Sequence, residues 1–244
     1  MPAIPRSEPF AQRACPQGVC DGSGWILGPE DVARPCDCRE QRLRRGRVRG
    51  VASAIPPRYR GVSFDRPPVS DMAHIAETRE AVKRVRSFID NLDSSLEAGQ
   101  GLWLFGDTGT GKTTLAMLVS KAATESGRSV AIYSLPKLLA RIRRTYDQEA
   151  GGDSYSAFFE RLTSVDLLHI DDFGAEKRSD WVLEQLYSLV NERYEDERSI
   201  MLTTNLTVDK LEDQIGARTV SRLTETCEQV PLFGADRRLE KAPY

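Results

Sequence analysis

Residues 101–116 read GLWLFGDTGTGKTTLA, and this stretch decides the fold. Gly101 to Phe105 is an apolar run of the length of a buried strand. It passes directly into GDTGTGKT at 106–113, which fits G-x-x-x-x-G-K-[ST] at every defined position. A helical pattern then starts at Lys112. Strand, glycine loop and helix in that order are the context a phosphate-binding loop requires. Gly106, Gly109 and Gly111 let the backbone curl until its N–H groups converge on phosphate oxygens. The helix adds its positive end. Lys112 supplies a cation for the β and γ phosphates of a nucleotide, and Thr113 a hydroxyl for Mg²⁺. The candidate nucleotide-binding residues are Gly106, Asp107, Thr108, Gly109, Thr110, Gly111, Lys112, Thr113 and Thr114.

Three downstream stretches fit the same chemistry. VDLLHIDDFG at 165–174 is an apolar strand ending in two carboxylates. Asp171, at the strand's C-terminal end, is placed to hold Mg²⁺ through its water shell. Asp172 would face the γ-phosphate and polarise the attacking water. IMLTTN at 200–205 is a second apolar strand, whose terminal Asn205 suits either orienting that water or capping a helix. GARTVSRLTE at 216–225 puts Arg218 and Arg222 four residues apart on one helix face. Such a pair is a solvated surface or the source of an arginine finger.

The surrounding pattern alternates. Ile75, Val82, Val85, Ile89, Leu92 and Leu96 predict one long amphipathic helix. Strands are predicted at 129–134, 165–170 and 199–204, and helices at 135–146, 155–163 and 180–196. Alternating strands and helices imply an α/β fold with a parallel sheet flanked by helices. This domain spans 73–244. Residues 51–72 carry four prolines and read as an extended linker.

Residues 1–50 form a separate module. Four of the five cysteines lie here, as Cys15-x4-Cys20-x15-Cys36-x-Cys38. The N-terminus has no charged-then-apolar secretory layout, so disulfides are a poor explanation. The spacing departs from a pair of C-x2-C knuckles, but four thiolates suit tetrahedral Zn²⁺ at about 2.3 Å and a segment this small needs such a staple; free thiols or an iron–sulfur cluster are the alternatives. His74 and His169 fall in helix and strand text and are not expected to be ligands; Cys227 reads as a buried apolar residue.

Charge and hydropathy exclude other classes. There are 34 basic against 36 acidic residues, a net charge of -2, so any nucleic-acid contact must be a local patch. Two patches stand out: Arg39, Arg42, Arg44, Arg45, Arg47 and Arg49 in the first, Lys137, Arg141, Arg143 and Arg144 in the second. In the second, Leu138, Leu139 and Ile142 form a buried stripe and Tyr146 could stack on a base. No apolar run approaches the ~20 residues of a membrane span, and a cytoplasmic location is expected.

From about Leu102 to Arg238 the chain resembles the AAA+ ATPases of the DnaC/DnaI helicase-loader group. It is also similar to their relative, the IstB transposition helper. The two ATP motifs are shared by many ATPases; the combination of IDDFGAE, NERY and RTVSRL is the more specific text, and the match ends with PLFGADRRL. The resemblance implies a P-loop AAA+ domain, with Lys112 and Thr113 as Walker A, Asp171 and Asp172 as Walker B, and Asn205 as sensor 1. It implies that Arg222, with Arg218 as the alternative, acts as a finger on a neighbouring subunit, and hence self-association. Arg238, beside Arg237, corresponds to a sensor 2 arginine.

The group has no full helical lid, and none is expected in the 22 residues after Arg222. Many AAA+ proteins have Glu where this chain has Asp172, which implies turnover below the enzyme median of ~10 s⁻¹. DnaI-type loaders carry an N-terminal zinc module that grips the replicative helicase, whereas IstB-type helpers carry a helical extension. The resemblance therefore implies a loader of the hexameric replicative DNA helicase onto single-stranded DNA, using ATP, Mg²⁺ and Zn²⁺. The alternatives are a transposition helper on duplex DNA, and a nucleotide-dependent adaptor with little hydrolysis.

Overall fold

The first four described stretches of the chain are short. In the computed structural model the described residues are 15, 18–20, 25–28, 32–38, 55–146 and 154–236. They fall in two units, Met1–Gly50 and Val51–Tyr244.

In the first unit, β1 (Trp25–Leu27) pairs antiparallel with β2 (Ala33–Pro35), Ile26 opposite Arg34. Gly28 N–H donates to Val32 O at 3.0 Å and starts the turn. Among its described residues the buried ones are Cys15, Cys36 and Cys38, with Cys20 and Ile26 packed on them. The arginines of 39–49 lie outside the described residues.

The second unit is built on five parallel strands: β3 (Gly101–Gly106), β4 (Val130–Ser134), β5 (Leu167–Asp171), β6 (Ser199–Thr204) and β7 (Cys227–Leu232). Their order is β4-β5-β6-β3-β7. β3 and β6 are buried along almost their whole length, as continuous apolar strands covered on both faces should be. Helix α4 (Lys112–Glu125) follows β3, and its Leu115, Ala116, Val119 and Ala123 are fully buried. Helices α5 (Leu135–Arg144), α6 (Tyr155–Ser164), α7 (Asp180–Glu195), α8 (Val208–Ile215) and α9 (Ala217–Thr226) complete the layers. Among the described residues no helix follows α9. None of the described helices is long and apolar enough to cross a membrane.

The structure departs from the sequence reading in three places. The expected single helix over 75–96 is α1 (Val69–His74), α2 (Ala76–Asp90) and α3 (Leu92–Glu97). Ile75 is extended (φ -90, ψ 128), which ends α1 and turns the Ile75 side chain outward to 39% exposure. The expected linker is not extended over 55–72: Val69 and Met72 are fully buried and Val62 nearly so, all in the core beneath α4. The prolines serve turns and a 3₁₀ turn at Pro57–Tyr59. The third departure is β7, a strand containing Pro231. Among the described residues it pairs only with β3, at the end of the strand order, where proline is tolerated.

Two buried polar groups knit the layers. His169 on β5 is fully buried, 2.9 Å from Ser120 of α4, and burial pulls its pKa down to about 3. Arg193, from the NERY text on α7, is also fully buried. Its two terminal nitrogens donate to Leu162 O, Thr163 O, Val165 O and Ser199 O at 2.6–3.1 Å. Burial lowers its pKa to about 9, so it stays a cation at neutral pH. Cys227 is buried as expected, its thiol pushed up to about 12 by burial.

Candidate functional site

Three parallel strands end beside the glycine loop, where ligands of open α/β sheets bind. Register places Phe105 of β3 beside Thr204 of β6, and Ile170 of β5 beside Leu202. Asp171, Thr203, Thr204 and Asn205 therefore gather at the loop's side of the sheet.

The loop adopts a phosphate-binding shape. Gly106, Gly109 and Gly111 have φ of 135, 77 and 101, values that side chains rarely adopt. Lys112 is buried, and Nζ donates to Gly106 O at 2.9 Å and Asp107 O at 2.5 Å, which holds the ammonium inside the loop. Thr110 Oγ1 donates to Asp107 O. At Gly111 the close approach is from α1: an added Cβ would lie 2.8 Å from Met72. The buried face of the expected linker is thus a wall of the loop.

Asp171 and the backbone of Asp172 are held by a residue that the sequence reading passed over. Thr113 Oγ1 donates to Asp171 Oδ1 at 2.9 Å, and Thr203 Oγ1 donates to the same oxygen at 2.6 Å. Thr203 Oγ1 also accepts from Asp172 N–H at 3.0 Å. One hydroxyl on β6 therefore holds the Asp171 carboxylate and the backbone of Asp172. Asp172 has φ 56, in the left-handed region where aspartate is enriched among non-glycine residues. That conformation gives a physical reason for the shorter carboxylate here. Thr113 and Asp171 offer two adjacent hard oxygens, a fit for Mg²⁺. Asn205 is exposed just beyond β6.

A cavity of about 150 Å³ adjoins the loop, lined by Ile75, Glu77, Thr78, Thr110, Phe233, Gly234 and Ala235. Its two apolar walls, Ile75 and Phe233, come from the break between α1 and α2 and from the segment after β7. Sequence patterning had no signal for it, since both walls arise where regular structure stops.

Residues 72–242 match the model of a family described as IstB-like ATP binding protein. The chain belongs to that family. Membership makes the second unit an ATP-binding P-loop domain of AAA+ type, consistent with ATPase activity. Among curated relatives, this IstB-like chain is 26% identical to the uncharacterized protein YdaV of Escherichia coli K12, over 84% of this chain and 79% of YdaV. It is 24% identical to the replicative helicase loader DnaC of the same strain, over 70% of this chain and 66% of DnaC. A crystal structure of the DnaC helicase loader superposes with TM-score 0.63 at 26% identity, covering 72% of this chain and 99% of that one.

Other expected residues of the IstB-like chain lie apart from the loop. Arg222 is half-buried on α9, its guanidinium carbon 5.0 Å over the Tyr187 ring and 5.4 Å over the Tyr194 ring. Tyr194 OH donates to Glu225 Oε1 at 2.8 Å. Arg218 is exposed on the same open groove. Arg237 and Arg238 lie outside the described residues. On α5, Lys137, Arg141, Arg143 and Arg144 are exposed above the buried stripe. Arg143 covers Trp181 at 4.6 Å, and Tyr146 stacks on Tyr155 at 5.2 Å.

In the first unit the sulfurs of Cys15, Cys20, Cys36 and Cys38 all lie within 4.8 Å of one another. Cys15 and Cys36 Sγ are 3.9 Å apart, Cys20 and Cys38 Sγ 3.4 Å. Tetrahedral Zn–S bonds of about 2.3 Å give edges of about 3.8 Å, so the cluster fits zinc. Burial, then the neighbouring thiols, hold the Cys38 thiol well above its usual range. Four such sulfurs ionise together only around a cation.

Proposed function

We propose that this chain loads a hexameric replicative DNA helicase onto single-stranded DNA, with ATP binding and hydrolysis as the switch. The observation that carries the reading is the four-sulfur cluster on a separate N-terminal unit. It is the appendage that the loader resemblance implies and the transposition-helper resemblance does not. In this reading zinc holds the module together, and exposed Val19, Trp25 and Val32 offer an apolar contact to the helicase.

In the ATP site, Lys112 and the loop N–H groups hold the phosphates. The base enters the Ile75–Phe233 cavity. Thr113 and Asp171 hold Mg²⁺, which neutralises charge on the phosphates. Asp172 and Asn205 orient the attacking water. Arg222 reaches a neighbouring subunit's γ-phosphate, held ready by Tyr187 and Tyr194, with Arg218 as the alternative. Arg238 takes the sensor 2 role. The cations of α5, and the arginines of 39–49, track a DNA backbone, with the open face of Tyr146 meeting a base.

Two results are expected. Mixed with its hexameric helicase and ATP, the wild-type chain forms a stable complex by size exclusion with light scattering, and carries one zinc per chain by elemental analysis. Cys36→Ser loses both. No complex under any nucleotide condition moves the reading to the transposition helper, for which duplex-DNA binding is the test. Secondly, Arg222→Ala lowers ATP turnover by about 100-fold or more and leaves ATP affinity within about three-fold. Adding a Lys112→Ala protein, which has no working site but an intact Arg222, restores part of that turnover. Failure of this rescue rules out action in trans.

A further inference from the structure

The segment after β7 is fastened to the phosphate loop. Asp107 N–H donates to Leu232 O, and Gly234 N–H donates to Asp107 Oδ2, both at 3.1 Å. Two residues further on, Asp236 turns its carboxylate onto the loop itself. A Cβ at Gly109 would stand 1.8 Å from Asp236 Oδ1 and 2.2 Å from its Cγ. The carboxylate is thus packed on the bare α-carbon at the middle of GDTGTGKT, and only glycine permits that approach.

This loop is built to attract anions. The positive end of α4, which starts at Lys112, lies at the loop, and the Lys112 ammonium is held within it. A carboxylate and a phosphate are both anionic acceptors, so they compete for such a surface. Within a few ångströms of each other in a half-solvated site, they also repel.

We propose that Asp236 sets nucleotide affinity: its carboxylate competes with the nucleotide's phosphates for the loop, so that nucleotide entry displaces residues 233–236. Phe233, Gly234 and Ala235 also wall the adjoining cavity, so the same displacement reshapes the seat of the base. Occupancy of the loop is thereby passed to the C-terminal segment. The inference rests on the loop being the phosphate site.

The test is ATP affinity of the full chain with Mg²⁺, measured by isothermal titration for wild type, Asp236→Asn, Asp236→Ala and Asp236→Glu. Asn keeps the shape and removes the charge. Both neutral variants should bind ATP about ten-fold tighter at low salt, the size expected for one such like-charge contact. The gain should shrink towards nothing at 1 M salt, where the screening length is about 3 Å. Asp236→Glu should stay near wild type. Hydrogen exchange of 233–236 should speed up when ATP is added to wild type. Unchanged or weaker ATP binding by Asp236→Asn overturns the proposal; a loss that vanishes for an analogue without ribose hydroxyls would make Asp236 a sugar contact instead. Absence of ATP binding in wild type and all variants would overturn the phosphate-site assignment itself.

Discussion

Lys112→Ala is expected to abolish ATP turnover, by at least about 100-fold, and to weaken ATP binding to a similar degree. The effect is large because the ammonium is already held where it acts. It sits buried inside the loop on Gly106 O and Asp107 O. Its position therefore costs no reorganisation when phosphates arrive, and one preorganised donor to a developing charge is worth about 3–4 kcal/mol. Folding should be little affected, because the lost bonds are to loop carbonyls that water can reach once the side chain is gone. Turnover, ATP titration and a thermal melt check this. Turnover within ten-fold of wild type would show that the loop does not hold the reacting phosphates.

Arg193→Met should destabilise the ATP-binding unit by about 3–5 kcal/mol without touching the site. The guanidinium fills a fully buried space and satisfies four carbonyls, from the end of α6, the residue that follows it and the start of β6. Methionine fills the volume and leaves those acceptors dry. Each orphaned buried acceptor costs about 1–3 kcal/mol, less when they relax together. For a domain near 190 residues this is a fall in melting temperature of roughly 10 °C. Arg193→Lys should recover only part of it, because one ammonium cannot span four carbonyls. A melt within about 2 °C of wild type would mean the carbonyls find other partners.

NERY thus resolves into two jobs, neither legible in the text. Arg193 staples the layers, and Tyr194 braces Arg222. The same holds for Thr203. In IMLTTN the asparagine drew attention, yet the neighbouring hydroxyl contacts both Asp171 and Asp172. No spacing rule connects residues 171 and 203; parallel pairing of β5 and β6 does.

What the sequence by itself determined was everything carried by local pattern. The loop, its strand and its helix follow from glycines, apolar runs and one lysine, because backbone conformation there is set within a few residues. The alternating strands and helices followed from hydrophobic period, and the four cysteines from their clustering. The tertiary structure decided what depends on distant partners. It drew 55–72 into the core, since Val69 and Met72 can be buried only once α4 exists to cover them. It broke the long helix at Ile75, whose extended backbone ends α1 before α2 begins. It made an edge strand of a proline-containing segment, since an edge needs hydrogen bonds on one side alone. And it laid Asp236 against Gly109, a contact 127 residues apart in sequence that exists only because β7 ends beside β3.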